Sequence, residues 1–323
     1  MSRRRRISVA MATCNGAPYV AAQLQSILAQ TRPADEIVVF DDASDDATLA
    51  IVRSMLGAVA SSARVVANPT RLGAVANFEQ CVAAAGGDII VLADQDDVWT
   101  ESKLASIEAA FVATPNLGAV FSDATLIGSD GRRLDSTLWQ RVDLQRSDLE
   151  LFACRRGVEV LLRQNVVTGA TLAFDARLRD LILPFPDTGY HDAWIALLVS
   201  AVAPLRAARE PLIQYRLHGS NTAGLPARNL LGRIAARRRR TRVHDQAEAF
   251  FQAAHQRLGE QRVGDAHVMA ALEAKIAHLR FRRGLSSNPM RRMLPVLAQA
   301  RRGEYRRFSR EGSRSAVYDL IYG

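Results

Sequence analysis

The strongest constraint on the fold is an alternation of short apolar runs with longer amphipathic stretches over the first 120 positions. The amphipathic stretches predict helices because their apolar residues, for example Val20, Leu24 and Ile27, recur at helical spacing. The β-branched runs between these stretches predict strands. Strands are predicted at Ile7–Ala12, Glu36–Phe40, Arg64–Ala67, Asp88–Ala93 and Gly118–Ser122. Strands that alternate with helices in this way form a largely parallel sheet flanked by helices. The sequence therefore predicts an α/β fold.

The second half of the chain is predicted to be less regular. Thr168–Phe174 is expected as an edge strand, His191–Ala203 as a long apolar helix and Ile213–Leu217 as a last short strand. Charge then changes: residues 1–225 hold 21 Lys and Arg against 25 Asp and Glu, whereas residues 226–323 hold 21 against 8. We therefore predict one domain over residues 1–225 and a basic, Arg-rich helical C-terminal region over residues 226–323.

Composition excludes several classes of protein. Apolar residues make up 48% of the chain, which is enough for a sizeable core, yet no apolar run reaches the roughly 18 residues of a membrane span. The apolar stretch after Arg3–Arg6 is broken at Asn15, so it is a poor secretory signal. Cys14, Cys81 and Cys154 have neither CxxC spacing nor an even count, which argues against disulfides and zinc. We expect a cytoplasmic protein.

Carboxylates follow two of the predicted strands directly. Asp41 and Asp42 follow the second strand, and the run Asp94-Gln95-Asp96-Asp97 follows the fourth. The carboxyl ends of strands are where an open α/β sheet binds its ligand. Three carboxylates within four residues repel one another unless a cation offsets them, and Mg²⁺ and Mn²⁺ prefer carboxylate, phosphate and water ligands. The alternative is a helix N-cap, which needs only one carboxylate. The pattern indicates a divalent cation that carries a diphosphate.

Six segments, in this order, resemble the motifs of the family 2 glycosyltransferases, which have the GT-A fold. They are Met11–Gly16, Val39–Asp46, Asn68–Asn77, Asp94–Asp97, His191–Trp194 and Tyr215–Thr222. The last two are similar to the branch that includes bacterial rhamnosyltransferases. The resemblance covers roughly residues 6–225. It implies a GT-A, Rossmann-like mixed sheet, with a nucleotide-sugar half over about 1–122 and an acceptor half over about 123–225.

The resemblance implies roles for individual residues on the donor side. Asp42 would hold the nucleotide base, and Asp94–Asp97 would bind the ribose and a Mn²⁺ or Mg²⁺ ion. The direct metal ligand would be Asp96 or Asp97, and His218 would be a further ligand, with an ordinary loop histidine as its alternative. The implied donor-binding residues are Ala12, Thr13, Cys14, Asp42, Arg71, Asn77, Asp94, Gln95 and Asp96.

On the acceptor side the resemblance implies that Asp192 is the general base, with His191, Trp194 and Gly169 lining the acceptor. Sugar transfer needs a Lewis acid to stabilise charge on the leaving diphosphate, and a carboxylate to take the acceptor's proton. A helix cap is the alternative role for Asp192. Two positions depart from the family: Cys14 stands where many members have an aromatic residue, and His191 where many have Glu.

The predicted function is metal-dependent, inverting transfer of a sugar from dTDP-rhamnose or a UDP-hexose to a saccharide, free or lipid-linked, in cell-surface polysaccharide synthesis. One alternative is a nucleotidyltransferase of sugar phosphates, but that class favours a Lys-containing loop after the first strand, and Thr13–Pro18 has no Lys. Another is nucleic-acid binding by the Arg-rich tail. Because residues 1–225 are net acidic, no nucleic-acid partner is expected.

The tail has two basic segments. Arg228, Arg233, Arg237–Arg240 and Arg242 form a dense stretch, and Met290–Arg310 mixes apolar residues with Arg pairs. A solvated helical face is one explanation. The other is peripheral binding to anionic lipid on the inner face of the cytoplasmic membrane. Pro295 is expected to interrupt the last helix, which weakens the second explanation.

Overall fold

The computed structural model describes residues 4–57, 62–219 and 240–322. Within these ranges, nine strands form one sheet. The strands are β1 (Ile7–Thr13), β2 (Glu36–Asp41), β3 (Ala63–Ala67), β4 (Ile89–Ala93), β5 (Val98–Trp99), β6 (Ala119–Ile127), β7 (Arg133–Thr137), β8 (Leu172–Asp175) and β9 (Leu205–Arg216).

Helices cover both faces of this sheet. Those of the first 203 residues are α1 (Val20–Leu28), α2 (Thr48–Gly57), α3 (Ala74–Ala84), α4 (Lys103–Ala113), α5 (Leu138–Val142), α6 (Arg146–Ala153), α7 (Gly157–Arg163), α8 (Arg179–Ile182) and α9 (His191–Val202). Those of the C-terminal part are α10 (Arg240–Glu260), α11 (Ala266–Arg283), α12 (Pro289–Arg301), α13 (Glu304–Phe308) and α14 (Ser313–Tyr322).

The first four strands form the parallel half of the sheet. They lie in the order β3-β2-β1-β4, and Ala10 of β1 pairs with Val38 on one side and Leu92 on the other. Strand β1 is buried along almost its whole length, which explains why it is a continuous apolar run rather than an alternating one. The predicted parallel α/β sheet is confirmed, and the loops that follow β1, β2 and β4 share one edge.

Side chains of β1 alternate between two cores. Val9 and Met11 belong to the core that α1, α2 and α4 cover, whereas Ala10 belongs to the core under α3, α7 and α9. This alternation follows from the two-residue period of a strand. The sheet is therefore held from both faces, which fixes the positions at which its loops leave.

The other half of the sheet is mixed and corrects two predictions. The segment predicted as an edge strand contains β8, which lies in the interior of the sheet, antiparallel to both β4 and β6. The predicted short strand at 213–217 is the end of the longer β9. Strand β9 runs parallel to β6, with an irregular register around Asp123, and ends beside β5. Its end brings residues 216–218 to the acidic loop.

The C-terminal helices pack on the sheet domain. The Arg257 guanidinium donates to the carbonyls of Leu181 and Leu183, both at 2.9 Å, and Phe250 packs edge-on against Trp194. Pro295 does not interrupt its helix, because α12 continues through it. The domain boundary predicted near residue 225 lies outside the described residues and stays a prediction. None of the helices in the described ranges has the length and apolar character needed to cross a bilayer.

Candidate donor, metal and acceptor site

The loops after β1 and β4 are joined by one side chain. The Gln95 carboxamide accepts from the Cys14 amide at 2.8 Å and donates to the Cys14 carbonyl at 2.9 Å. Gly16 lies directly against this carboxamide, since a Cβ at position 16 would come within 2.2 Å of its oxygen. Gln95, predicted as a donor-binding residue, therefore orders the predicted donor loop through two hydrogen bonds.

The Asp42 carboxylate orders the loop that follows β3. It accepts hydrogen bonds from the Leu72 amide at 2.7 Å, the Gly73 amide at 2.8 Å and Asn68 Nδ2 at 3.1 Å. Asn77 is buried behind this loop, where it donates to the Phe40 carbonyl at 2.8 Å. Asp42 and Asn77 therefore have hydrogen-bond partners within the protein, and both order the edge of the sheet at which the nucleotide is predicted to bind.

The remaining predicted donor residues lie around the same edge. Thr13 is buried and donates to Asp41 at 2.8 Å. Ala12, one residue earlier on β1, is only partly buried. Arg71 is half-exposed and forms a 3.2 Å ion pair with Asp45. These contacts bring the predicted donor residues of β1, β2 and the loop after β3 together beside the acidic loop.

The acidic loop meets the end of β9. Oδ2 of Asp96 lies 2.6 Å from Nε2 of His218, and both side chains are mostly buried. The Arg216 amide donates to Oδ1 of Asp97 at 2.9 Å, and its guanidinium donates to the Asp96 carbonyl at 2.7 Å. The Tyr19 ring stacks on His218 at 4.9 Å between centroids. The predicted metal residues Asp96, Asp97 and His218 are therefore neighbours.

Electrostatics around this loop are those of crowded buried carboxylates. Burial, and after it the charges of Asp96 and Asp192, raise the pKa of Asp94 to about 7. Burial, with the charges of Asp96 and Asp94, also raises the pKa of Asp97 well above its usual value. The charges of Asp96 and Asp192 both act on Asp94, so the acidic loop and the predicted base lie near one another.

A buried cation lies behind these carboxylates. Lys103 is fully buried, its Nζ lies 3.7 Å from the centroid of the Trp99 ring, and it donates to the Ala170 carbonyl at 2.7 Å. Burial lowers the pKa of Lys103 to about 7, against the raising effect of Asp97 and Asp94. Lys103 thus lies between the carboxylates of Asp94 and Asp97, whose charges act on it, and the turn at Gly169–Thr171, to which it donates.

Asp192 lies in the first turn of α9, and its carboxylate is held by the turn at Gly169–Thr171 and by Asn165. Its Oδ2 accepts from the Gly169 amide at 3.1 Å and its Oδ1 from Asn165 Nδ2 at 3.3 Å. The Ala193 amide, at 2.5 Å, also donates to Oδ1. Burial raises the pKa of Asp192 to about 6, although these hydrogen bonds oppose it. A carboxylate that is oriented in this way and has a pKa near neutrality suits a general base.

The three predicted acceptor residues have different positions. Gly169 contributes its amide to Asp192, and the ring of His191 stacks on Phe78 at 4.1 Å. Burial lowers the pKa of His191 to about 4, so its ring is neutral, and neither ring nitrogen has a partner within the described residues. The prediction for Trp194 is wrong: Trp194 is 1% exposed, and its indole N–H donates to the Ile182 carbonyl at 2.8 Å. Trp194 is a core residue.

The residues around Asp96 fit a divalent cation in part. Within the described ranges no group of three or more His, Cys, Asp and Glu side chains is arranged to hold a metal ion. Mg²⁺ and Mn²⁺ sites, however, usually take one or two protein ligands, with phosphate and water completing the shell. Asp96 and His218 would supply two such ligands, and Oδ2 of the buried Asp97 has no hydrogen-bond partner among the described residues.

Several residues of the site were not predicted. Arg216 stands within the motif Tyr215–Thr222 two residues before His218, so its position was a signal that could have been used. Tyr19, Lys103 and Asn165 carry no local signal, because the fold alone brings them to the site. Asn221 and Thr222, which continue the same motif, lie outside the described residues, as does the arginine run from Arg228 to Arg239.

The fold and the site together define a class of protein. The parallel half of the sheet, the carboxylate loop at the strand ends and the imidazole beside it are those of a protein with the GT-A fold, and an open α/β sheet binds its ligand at this edge. The family profile described as Glycosyl transferase family 2 matches residues 8–157. Residues 8–157, a little under half of the chain, are therefore similar to the family 2 glycosyltransferases.

Two sequence relatives and two solved structures are similar to this chain. An uncharacterized glycosyltransferase of Nostoc sp. is 26% identical over 221 residues, which span 67% of this chain and 66% of the relative. An uncharacterized protein of Mycobacterium bovis is 28% identical over 129 residues, 39% of this chain and 37% of its own. The chain therefore covers less than two thirds of either relative.

The structures show that the fold is shared. Staphylococcus aureus TarS 1-349 in complex with UDP-GlcNAc superposes with a TM-score of 0.57 at 17% identity, covering 85% of this chain and 72% of that one. The mannosyltransferase PcManGT of Pyrobaculum calidifontis, in complex with GDP-Man and Mn²⁺, superposes with a TM-score of 0.52 at 21% identity, covering 99% and 85%. The GT-A fold predicted from the motifs is confirmed.

Proposed function

We propose that this protein is a metal-dependent, inverting glycosyltransferase that moves a sugar from a nucleoside-diphosphate sugar to a saccharide acceptor. The observation that carries the proposal is the 2.6 Å contact between Asp96 and His218, with Asp192 near enough to the same acidic loop for its charge to act on Asp94. The match of residues 8–157 to the family 2 glycosyltransferase profile favours this function over the nucleotidyltransferase and nucleic-acid alternatives.

The donor is proposed to bind at the edge formed by the loops after β1, β2 and β4. Ala12–Cys14 would line the base and ribose, and the loop that Asp42 orders would close beside them. Arg71 is half-exposed at this edge and could exchange its ion pair with Asp45 for a phosphate. The base and the sugar that we propose are those of dTDP-rhamnose or a UDP-hexose.

The cation is proposed to be Mn²⁺ or Mg²⁺, with Asp96 and His218 as protein ligands and Asp97 next to them. When bound, such a cation stabilises negative charge on the leaving diphosphate as a Lewis acid. It would also relieve the repulsion that raises the pKa values of Asp94 and Asp97. PcManGT, which shares the fold, was crystallised with Mn²⁺.

The chemical step that we propose is a single displacement. The acceptor hydroxyl oxygen forms a bond to the anomeric carbon while the bond from that carbon to the diphosphate oxygen breaks, and Asp192 takes the hydroxyl proton. The Gly169 amide and Asn165 hold the Asp192 carboxylate in the orientation that receives this proton. One attack on the face opposite the leaving group inverts the anomeric configuration. The acceptor that we propose is a lipid-linked saccharide, and the reaction that we propose is a step of cell-surface polysaccharide synthesis.

A turnover screen tests this function. The full chain is incubated with a panel of UDP-, dTDP- and GDP-sugars and Mn²⁺ or Mg²⁺, and release of the nucleoside diphosphate is measured with and without saccharide acceptors. We expect release from one donor that requires the metal and is lost in Asp192→Asn. Failure of every donor to turn over or to bind, with folded protein, would contradict the proposal.

A further inference from the structure

The helix α12 carries an apolar stripe on its outer face. Met290, Met293, Leu294 and Leu297 occur at the i, i+3, i+4, i+7 spacing of one helix face and are 83%, 47%, 71% and 37% exposed. No residue of the described ranges covers this stripe. Exposed apolar residues that stand singly are ordinary, but four on one face of one helix form a patch.

The same helix is fixed to the protein by its opposite face. Val296 is fully buried there, and the guanidinium of Arg292 donates to the carbonyls of Leu320 at 3.1 Å and Ser287 at 3.1 Å. The orientation of α12 is therefore set by buried contacts, so the apolar stripe is held outward. Leu320 belongs to α14, where Val317 and Ile321, 52% and 56% exposed, add a second apolar pair.

Arginines surround this patch. From residue 284 to the end, the sequence has eight Arg and only three acidic residues, and one of these, Asp319, is buried in an ion pair with Arg282. Arg301 lies seven residues after Leu294, on the same helix face, and Arg302 follows at the helix end. Arg291, Arg301, Arg302, Arg306, Arg307, Arg310 and Arg314 are all exposed.

We propose that this surface, Met290–Leu297 with Val317, Ile321 and the surrounding arginines, binds an anionic lipid membrane. An apolar stripe rimmed by arginine inserts side chains below the headgroups while the guanidinium groups meet phosphate. A second copy of this chain fits less well, because pairing the patch with itself would bring two arginine rims together. The inference deepens the proposed function, since its purpose rests on a lipid-linked acceptor.

Co-sedimentation with vesicles tests the surface without any sugar donor, so its failure is separable from failure of the transferase function. The full chain is mixed with vesicles of phosphatidylglycerol and phosphatidylcholine, or of phosphatidylcholine alone. We expect binding only to the anionic vesicles and weaker binding at high salt. The Met290→Gln, Leu294→Gln double variant should lower the partition constant at least about tenfold. The Arg301→Gln, Arg302→Gln double variant should lower it by about fivefold for each arginine.

Matched controls keep the test specific. Val112→Gln changes an apolar residue that is 76% exposed on α4, and Arg132→Gln removes an exposed charge on the β6–β7 turn. Both controls should bind as the unchanged protein does. The proposal is overturned if the patch variants bind equally well, since the membrane contact would then lie elsewhere. It is also overturned if the protein does not bind anionic vesicles and light scattering shows that the patch variants convert a dimer into a monomer.

Discussion

His218 Nε2 lies 2.6 Å from Asp96 Oδ2, although 122 residues separate the two side chains in the sequence. The contact exists because the end of β9 runs beside β5, which directly follows the acidic loop. Arg216 reinforces it by donating to both Asp96 and Asp97. The metal site that we propose is therefore built from both halves of the sheet domain.

Loss of the Asp96 or the His218 side chain should weaken the binding of the metal ion without unfolding the protein. We predict that Asp96→Asn and His218→Ala each raise the Mn²⁺ dissociation constant, measured by calorimetry in the presence of nucleoside diphosphate, by at least about tenfold. Asp130→Asn, which changes an exposed carboxylate on the β6–β7 turn, is the control. Equal Mn²⁺ affinity in all three variants would remove Asp96 and His218 from the metal site.

Asp192 should set the lower limit of the pH profile. Burial raises its pKa to about 6, and a base acts only when deprotonated, so kcat should fall as the pH drops through about 6. Asp192→Asn should lower kcat by about 10²- to 10⁴-fold with little change in donor affinity. Asn165→Ala removes a hydrogen bond that favours the charged carboxylate, so the midpoint should move to higher pH. A profile that is flat around pH 6 would contradict this role.

Gly16 and Gln95 offer a test of the donor loop. In Gly16→Ala the new methyl group would displace the Gln95 carboxamide, which would lose both of its hydrogen bonds to Cys14. We expect weaker nucleoside-diphosphate binding, and the same defect in Gln95→Ala. Gly57→Ala is the matched control, because a Cβ at position 57 meets nothing within 4 Å. Unchanged affinity in both Gly16→Ala and Gln95→Ala would show that the loop does not need this link.

A comparison of two buried lysines, Lys103 and Lys275, distinguishes an effect on catalysis from an effect on stability alone. Lys103→Met and Lys275→Met each leave a buried carbonyl, of Ala170 and of Phe308, without its 2.7 Å donor. Each should lower the free energy of unfolding, measured by denaturant titration, by about 1 to 3 kcal/mol. Only Lys103→Met should also lower kcat at a temperature where both variants are folded, because Ala170 adjoins the Gly169 amide that holds Asp192. Equal kcat in the two variants would argue against this support.

Strands β1, β2 and β4 of the parallel half could be predicted because they are buried on both faces. Ile7–Ala12 and Glu36–Phe40 are continuous apolar runs, and the observed strands extend each by only one residue. Strand β8 was placed at an edge because a sequence pattern does not contain the identity of a strand's neighbours. Strand β9 was predicted too short because its middle contains Arg209, Glu210 and Pro211, two charged residues and a proline that are more typical of a loop than of a strand.

Site residues were predictable where they stand in motifs next to strand ends. Asp96 and His218 were singled out in this way and lie 2.6 Å apart, whereas Asp192 stands in a motif at the start of a helix; the roles of all three stay predictions. Trp194 was misassigned because it stands two residues after Asp192 in the same motif, yet residues i and i+2 of a helix point in different directions, and its ring enters the core. Lys103 and Asn165 act across long sequence separations, which no local pattern records.

The most direct test of the central claim is the linkage between metal and nucleotide binding. The affinity of the protein for UDP, dTDP and GDP is measured by calorimetry with Mn²⁺ and with excess chelator. We predict that one diphosphate binds with Mn²⁺ and at least about tenfold more weakly without it, and that Asp96→Asn abolishes this difference. Binding that is equally tight in the presence and absence of the metal would contradict the account.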